Sequence, residues 1–256
     1  MIEMGQAAGL ACVFMRVTGC VLFNPIFGRR NFPRMFQIAL TLALSMLIVT
    51  YSDVAVESET TFLGFCFLLL RELFVGFTMG IVVSTFMYIV ILAGAAVDLK
   101  MGLMMANIYD PQSGIQMTVT GTNLNIMFIL IFFGMDAHFT MVHLFLNSAE
   151  LLPYGQAGFV NANLTMKILD VFCQCTILGL KLAMPIIGII FLIEFGVGIL
   201  MKAIPQINVF VLSLQIKILM GLLMLYLIFT PVASFIETTM TALFMTLGEV
   251  LIIMGA

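Results

Sequence analysis

Six stretches of mostly apolar residues, each close in length to a membrane-spanning helix, occupy most of this chain. They lie at roughly residues 5–26, 35–51, 73–97, 124–146, 168–193 and 209–229. A helix needs about 20 apolar residues to cross a bilayer, so the second stretch is short for a span. None shows the alternation of a barrel strand, and lipid-facing backbone must satisfy its own hydrogen bonds. The pattern therefore predicts an all-α membrane protein.

Composition excludes a water-soluble fold. The 256 residues are 62% hydrophobic and 9% charged, where soluble domains carry about 25% charged residues. The length suits a single membrane domain over residues 1–256 and leaves no room for a second, soluble one. A net charge of -3 with scattered basic residues predicts no nucleic-acid partner. The N-terminus has no basic n-region, so we expect the first stretch to be retained.

Basic residues in the connections predict an orientation. One set of alternate connections holds Arg29, Arg30, Arg34, Lys100 and Lys202, whereas the other set holds only Lys167. Positive connections stay in the cytoplasm, which would put both termini outside it if all six stretches span. The residues after 233 place apolar side chains three and four apart, which predicts an amphipathic helix on a membrane or a partner rather than a seventh span.

Charged residues inside the apolar stretches must be kept out of contact with lipid. Arg16, Lys181 and Lys217 lie near the middle of the first, fifth and sixth stretches, and Asp136 lies in the fourth. At about 3 kcal/mol each, three central cations would cost roughly 9 kcal/mol in lipid. They should therefore pair within the chain, snorkel to the interface, or face a polar interior shared with neighbouring subunits or a conduit.

Glycine and proline predict local geometry. Gly76 and Gly80 have the spacing that allows two helix backbones to approach closely. Pro185, Gly196 and Gly198 predict a kink or a break in the fifth stretch.

Polar residues collect between the third and fourth stretches, from Met104 to Met117. Pro111 disfavours helical geometry at Asp110, and Gly114 permits backbone angles that other residues resist, so the segment should turn. Non-helical backbone at membrane depth survives only inside protein or beside water. The segment is either a re-entrant loop lining a passage or an ordinary cytoplasmic turn.

No residue pattern indicates catalysis, a metal or a cofactor. His138 and His143 are five apart rather than three or four, and neither His-Glu-x-x-His nor Gly-x-Ser-x-Gly occurs. The five cysteines lie in apolar runs, as packing residues do. A non-enzymatic role is expected, with an ion-coupled secondary transporter using Asp136, His138, Glu194 and Lys181 as the alternative.

Several short pieces of the sequence together form a recognisable pattern. The more specific ones are Asp-Pro-Gln-Ser-Gly at 110–114 and Pro-Gln-Ile-Asn-Val-Phe at 205–210, and weaker ones are at 14–19, 24–28, 71–76, 93–98, 101–103, 136–138 and 217–221. In this order they resemble the FliR family of type III secretion export-gate subunits. The resemblance implies an inner-membrane subunit of the flagellar basal body, through which unfolded flagellar proteins pass. It implies assembly of bent helical hairpins with FliP-like and FliQ-like subunits and an FlhB-like component, in contact with membrane lipid.

The resemblance also implies roles for individual residues. The N-terminal part would resemble FliP and the C-terminal part FliQ. The loop from 101 to 122 would project into the lumen and help plug the closed gate. Its residues would be Met104, Met105, Ile108, Tyr109, Asp110, Pro111 and Gly114. From their positions in the chain we expect buried or interface charges at Arg16, Arg71, Glu72, Asp136, Lys181, Glu194 and Lys217. Only for Arg71 and Glu72, which match a family pair, does the resemblance itself imply a role, that of structural pairing.

Overall fold

The computed structural model describes residues 4–28, 33–51, 61–104, 118–155, 162–203 and 209–255, and within these ranges the chain is almost entirely α-helical. The helices are α1 Met4–Phe23, α2 Arg34–Tyr51, α3 Phe62–Met101, α4 Val119–Gly134, α5 Ala137–Leu151, α6 Ala162–Ala203, α7 Val209–Leu227 and α8 Phe229–Gly255. Among these residues no strand occurs, and α2, α3, α6 and α8 are long and apolar enough to cross a membrane. The prediction of an all-α membrane protein is confirmed.

The fourth apolar stretch forms two helices instead of one. α4 and α5 meet at an angle of 66°, and Asp136 between them has a left-handed backbone with φ of 55°. Aspartate tolerates this conformation better than most side chains do. The Asp136 backbone N–H donates to the Phe133 carbonyl at 3.2 Å, and its carbonyl accepts from the Phe139 N–H at 2.9 Å. One residue therefore ends one helix and starts the next.

The number of candidate spans is smaller than the six expected. By length and composition the described helices give four spans, or five if the bent pair α4 and α5 is one span. The apolar parts of α1 and α7, Ala8–Phe23 and Val211–Leu227, are shorter. The orientation that assumed six spans stays a prediction. Of the kink or break expected at Pro185, Gly196 and Gly198, the break does not occur, since α6 continues through all three positions in one helix of 42 residues. The kink stays a prediction.

The C-terminal helix buries one face against its own chain. The side chains that share this face are all buried, and they are Ile236, Met240, Leu243, Leu247 and Leu251. The prediction of an amphipathic helix is confirmed, and the apolar face is covered by the protein itself. Because α8 also belongs to the four candidate spans, its pattern alone does not separate a packed helix from a spanning one.

The chain forms two compact units that interleave along the sequence. The first unit comprises residues 1–86, 132–172 and 239–256, and the second comprises 87–131 and 173–238. Helices α3, α4, α6 and α8 contribute residues to both, so the units do not correspond to N- and C-terminal halves.

Within the first unit, α1 packs on α2 and on α3. A Cβ at Gly76 of α3 would overlap the carbonyl oxygen of Arg16, and one at Gly80 would lie 2.8 Å from the Cβ of Phe23. The predicted close approach of two helices at these glycines is confirmed, and the partner is α1 of the same chain.

Candidate functional site

Arg16 lies at the centre of the first unit with 1% of its side chain exposed. Its Nε donates to Glu72 Oε2 at 2.6 Å. Its Nη1 donates to the Ser148 carbonyl and hydroxyl, each at 3.2 Å, and to the Leu152 carbonyl at 3.1 Å. Its Nη2 donates to the same Leu152 carbonyl at 3.1 Å. The guanidinium thus binds two carbonyls at the end of α5, one of which, that of Ser148, also accepts from the Leu152 backbone N–H at 2.9 Å.

The partner carboxylate is shared with the turn that follows α5. Glu72 is fully buried, and its Oε1 accepts from the Gly155 backbone N–H at 2.7 Å. The Tyr154 ring covers the guanidinium at 4.1 Å. Burial raises the pKa of the Tyr154 hydroxyl, although the positive charge of Arg16 opposes this rise. We call Arg16, Glu72, Ser148, Leu152 and Tyr154 the arginine centre.

The arginine centre joins α1, α3, α5 and the turn after α5. A buried charge is tolerated when it is paired and hydrogen-bonded, and both conditions are met by residues of this chain. Of the alternatives that the sequence left open for this cation, Arg16 therefore follows pairing within the chain. Arg16 therefore has a structural role, because its guanidinium has no exposed face that a substrate could contact.

A second ionic centre lies in the second unit. Lys217 Nζ on α7 donates to Glu194 Oε1 on α6 at 2.6 Å, and the two side chains are 19% and 34% exposed. Lys100 Nζ lies 4.3 Å from the centre of the Phe191 ring. Lys202 is exposed in the last turn of α6. We call Lys100, Glu194, Lys202 and Lys217 the lysine cluster.

Asp98 connects α3 to the start of α4 in the same unit. Its buried carboxylate accepts from the Thr120 backbone N–H at 2.8 Å and from the Thr120 hydroxyl. This satisfies an N–H at the beginning of α4 that has no helical acceptor. Gly94 and Gly121 touch beside it, since a Cβ at Gly94 would overlap the Gly121 backbone. The contact fixes the two helix ends that flank residues 105–117.

The other charged residues singled out from the sequence are members of neither centre, although Arg71 contacts the arginine centre through Gly155. Arg71 is exposed, and its Nη1 donates to the Gly155 carbonyl at 3.4 Å, whereas its sequence neighbour Glu72 pairs with Arg16. Asp136 is exposed at the break between α4 and α5. Lys181 is exposed on α6 and has no ion pair within the part of the chain that the structure describes.

The predicted plug segment falls almost wholly outside the described residues. Met104 is described and half-buried. Met105, Ile108, Tyr109, Asp110, Pro111 and Gly114 are not described.

Two of the resembling pieces meet at one cavity of the first unit. Asn24 and His138 both line an apolar cavity of about 190 Å³. The Asn24 Oδ1 accepts from the Ile26 N–H at 2.8 Å, so its Nδ2 is the free donor. Neither this Nδ2 nor the His138 Nδ1 has a hydrogen-bond partner among the described residues. Water can satisfy such groups where space allows.

The sequence left several members of the two centres unassigned. Ser148, Leu152 and Tyr154 carry no charge, and only the Pro153-Tyr154-Gly155 turn signal marked their neighbourhood. Asp98 and Lys100 lie close to the Met104 segment but received no role. The described residues bring together no group of His, Cys, Asp and Glu that could hold a metal ion.

Comparison with known proteins gives a consistent result. The family described as "Bacterial export proteins, family 1" matches residues 7–243. The flagellar biosynthetic protein FliR of Bacillus subtilis is 25% identical over 247 residues, covering 95% of this chain and 94% of its own length. FliR of Pectobacterium carotovorum is 27% identical, covering 93% and 90%. FliR of Escherichia coli is 23% identical, with the same coverage. This chain therefore belongs to family 1 of the bacterial export proteins, the family of the FliR proteins.

Proposed function

We propose that this protein is a non-enzymatic subunit of the flagellar protein export apparatus in the bacterial inner membrane, at the basal body. In this role it helps to form and to plug the pore through which unfolded flagellar proteins leave the cytoplasm. The observation that carries the proposal is the family match over residues 7–243, together with relatives that are named flagellar biosynthetic proteins and align over most of both chains.

The surface of the helices supports assembly with other membrane subunits, which we propose are FliP-like, FliQ-like and FlhB-like. Large apolar side chains are exposed along α2 and α6, among them Met35, Met184 and Phe195. Lipid or apolar protein could cover these. The exposed Lys181 on α6 is different, because a cation on a spanning helix is costly against acyl chains. A polar surface of a neighbouring subunit or a wet lumen would relieve that cost.

The plug role is proposed for the segment from Met104 to Met117. Support comes from its flanks, where the Asp98–Thr120 contact joins α3 to α4 and Gly94 packs against Gly121. Because packed helices hold both ends of this segment, the positions at which it begins and ends are fixed. Functional sites built on rigid elements have the same advantage.

Isolation from membranes tests the proposed function. An export subunit should purify with other membrane proteins, become unstable without them, and be required for secretion of flagellar proteins by its host. An ion-coupled transporter should instead purify alone and move protons into vesicles. Proton uptake by the isolated chain that is abolished by Asp136→Asn would show that the export proposal is wrong.

A deletion tests the plug. Removing residues 104–116 should leave the complex assembled and make the closed gate leak small ions, measured by ion flux in vesicles or in cells. A shortened connection at 52–60 is the matched control and should not leak. An assembled complex that leaks no more than the wild type would contradict the plug role.

A further inference from the structure

The turn between α4 and α5 carries a carboxylate that has no partner in the described part of the chain. We call residues 133–139 the α4–α5 corner. Asp136 at its centre is exposed, makes no capping hydrogen bond to α5, and takes part in no ion pair among the described residues. The cations of Arg16 and Lys167 in the same unit are engaged by other carboxylates. The residues that the structure describes therefore do not neutralise Asp136.

The backbone of Asp136 adds a second observation. Among the described residues other than glycine, it alone has a positive φ, of 55°. Aspartate in this conformation usually gains from a hydrogen bond between its side chain and a nearby backbone N–H, and here that bond is absent. The positive end of the α5 dipole attracts the carboxylate, but glycine or asparagine would form the same turn without a charge. A strained residue without local compensation points to a functional contact.

Helix lengths place the α4–α5 corner at membrane depth. α4 has 16 residues and α5 has 15, so they are about 24 and 22 Å long, and neither reaches across a hydrocarbon core of about 30 Å. Together they are apolar enough to form one broken span or a re-entrant loop. In both arrangements the corner lies inside the membrane. A charge and non-helical backbone at that depth must face protein or water rather than acyl chains.

The side chains around Asp136 favour protein over water. Phe133, Met135 and Phe139 are 46%, 43% and 59% exposed, and a Cβ at Gly134 would meet nothing within 4 Å. Such a rim gives water few hydrogen-bond partners, whereas a protein surface that covered it would bury the rim and exclude water from the carboxylate. Aromatic residues and methionine are enriched at the core of protein interfaces.

We infer that the α4–α5 corner is an interface for a basic membrane helix of a neighbouring subunit. A lysine or arginine of that helix pairs with the Asp136 carboxylate, and apolar residues beside it pack on Phe133, Met135 and Phe139. The pairing removes from lipid a negative charge on this chain and a positive charge on its partner. The partner is a subunit of the export apparatus, and to that extent the inference rests on the proposed function.

Dissociation of the purified complex tests the charge. The full chain is isolated in mild detergent through an affinity tag, and release of the accompanying subunits after dilution is followed with time. Asp136→Asn and Asp136→Gly both tolerate a left-handed backbone but remove the charge. Each should shorten the half-life of the complex about 30-fold, as loss of one member of a buried charge pair does.

Two variants control for charge in general. Asp136→Glu keeps the negative charge and should retain most of the half-life. Glu249→Gln removes an exposed carboxylate of the same unit and should leave the half-life unchanged. A wild-type half-life in Asp136→Asn and Asp136→Gly would overturn the inference, and so would an equal loss in Asp136→Asn and Glu249→Gln.

A photoreactive p-benzoylphenylalanine in place of Phe139 identifies the neighbour. The cross-linked peptide should come from another membrane subunit and contain a lysine or arginine. Replacing that residue by glutamine should add little to the effect of Asp136→Asn, because both changes break the same pair. Capture of lipid alone, or of a peptide without a basic residue, would overturn the inference.

Arg29 and Arg30 of the same chain lie outside the described residues, and a variant tests them as partners. In Arg29→Gln with Arg30→Gln, the further change Asp136→Asn should still shorten the half-life about 30-fold, because the pair with the neighbouring subunit is still lost. An effect of Asp136→Asn that disappears in this variant would place the partner within the chain and overturn the inference.

Secretion of flagellar proteins separates this inference from the proposed function. A wild-type chain that supports export, together with an Asp136→Asn complex as long-lived as the wild type, would overturn the interface alone. A wild-type chain that purifies without other membrane proteins and is not required for export would overturn both.

Discussion

Arg16 in the first unit and Lys217 in the second both lie inside an apolar stretch, and both are paired with a glutamate at 2.6 Å. Their surroundings differ. Arg16 and Glu72 are almost completely buried, and Arg16 makes four further hydrogen bonds to Ser148 and Leu152. Lys217 and Glu194 keep part of their surface open.

This difference in burial determines what each centre can do. A closed centre in which each guanidinium nitrogen is hydrogen-bonded fixes the positions of the helices around it, because losing the partner leaves a charge unpaired in a dry interior. A half-open centre can exchange partners with water, lipid or another subunit at low cost. The arginine centre therefore belongs to the architecture of the fold, and the lysine cluster belongs to its contacts with the surroundings.

The largest effect is expected at Glu72. Glu72→Gln keeps the shape of the side chain but removes the negative charge and turns one oxygen into a donor. That donor faces either the Arg16 Nε or the Gly155 N–H. Breaking one half of a buried ion pair costs about 3 to 5 kcal/mol, a large part of the stability of an ordinary domain. The thermal unfolding temperature in detergent and the abundance of the chain in membranes should both fall.

The pair Lys167–Glu249, in which the lysine is half-buried and the glutamate exposed, supplies the control. Its atoms are 2.7 Å apart, and Glu249→Gln should cost about 0 to 1 kcal/mol because both side chains can be hydrated. Replacing both Arg16 and Glu72 by methionine should recover part of the loss seen in the single variant. A Glu72→Gln protein as stable as the Glu249→Gln protein would show that the arginine centre is not what holds α1, α3 and α5 together.

The positions of most helices could be predicted from the sequence, but the partners of their charged residues could not. Apolar length and the three-to-four spacing placed α1 to α3 and α6 to α8, since these patterns depend on neighbours along the chain. The carboxylate partner of Arg16, Glu72, is 56 residues away, and the Leu152 carbonyl that accepts from its guanidinium is 136 residues away. Such distances are bridged only by tertiary packing.

The break at Asp136 could have been predicted from the sequence. The plug segment, in contrast, lies almost wholly outside the described residues and was not tested by the structure. Gly134 lies two residues before the break, and glycine near the end of a periodic stretch is a helix-ending signal. The strongly apolar run on either side of it concealed the signal. The segment at 105–117 remains described by the family resemblance alone.

A smaller effect is expected where α1 meets α3. Gly76→Ala places a methyl group on the Arg16 carbonyl, a backbone atom held by its helix and by the arginine centre. Overpacking of this kind costs about 1 to 3 kcal/mol. Gly196→Ala on α6 is the matched control, because a Cβ there meets nothing within 4 Å and alanine favours a helix. Unfolding temperatures should fall for Gly76→Ala only. Equal temperatures for the two variants would contradict a close contact between α1 and α3 as the source of the effect.

The smallest effect on stability is expected at Lys217. Lys217→Gln leaves Glu194 charged, but that carboxylate is 34% exposed and can be hydrated, so the cost should be about 0 to 1 kcal/mol. Unfolding of the chain in detergent should therefore be nearly unchanged, in contrast to Glu72→Gln. Lipid or another subunit that covers the lysine cluster would exclude the water that hydrates Glu194. The unpaired Glu194 carboxylate would then cost more free energy of folding. The same variant should lose more stability in the native assembly than in detergent. A loss in detergent as large as that of Glu72→Gln would mean that the two centres are equally closed, and the distinction between an architectural and a contact centre would no longer hold.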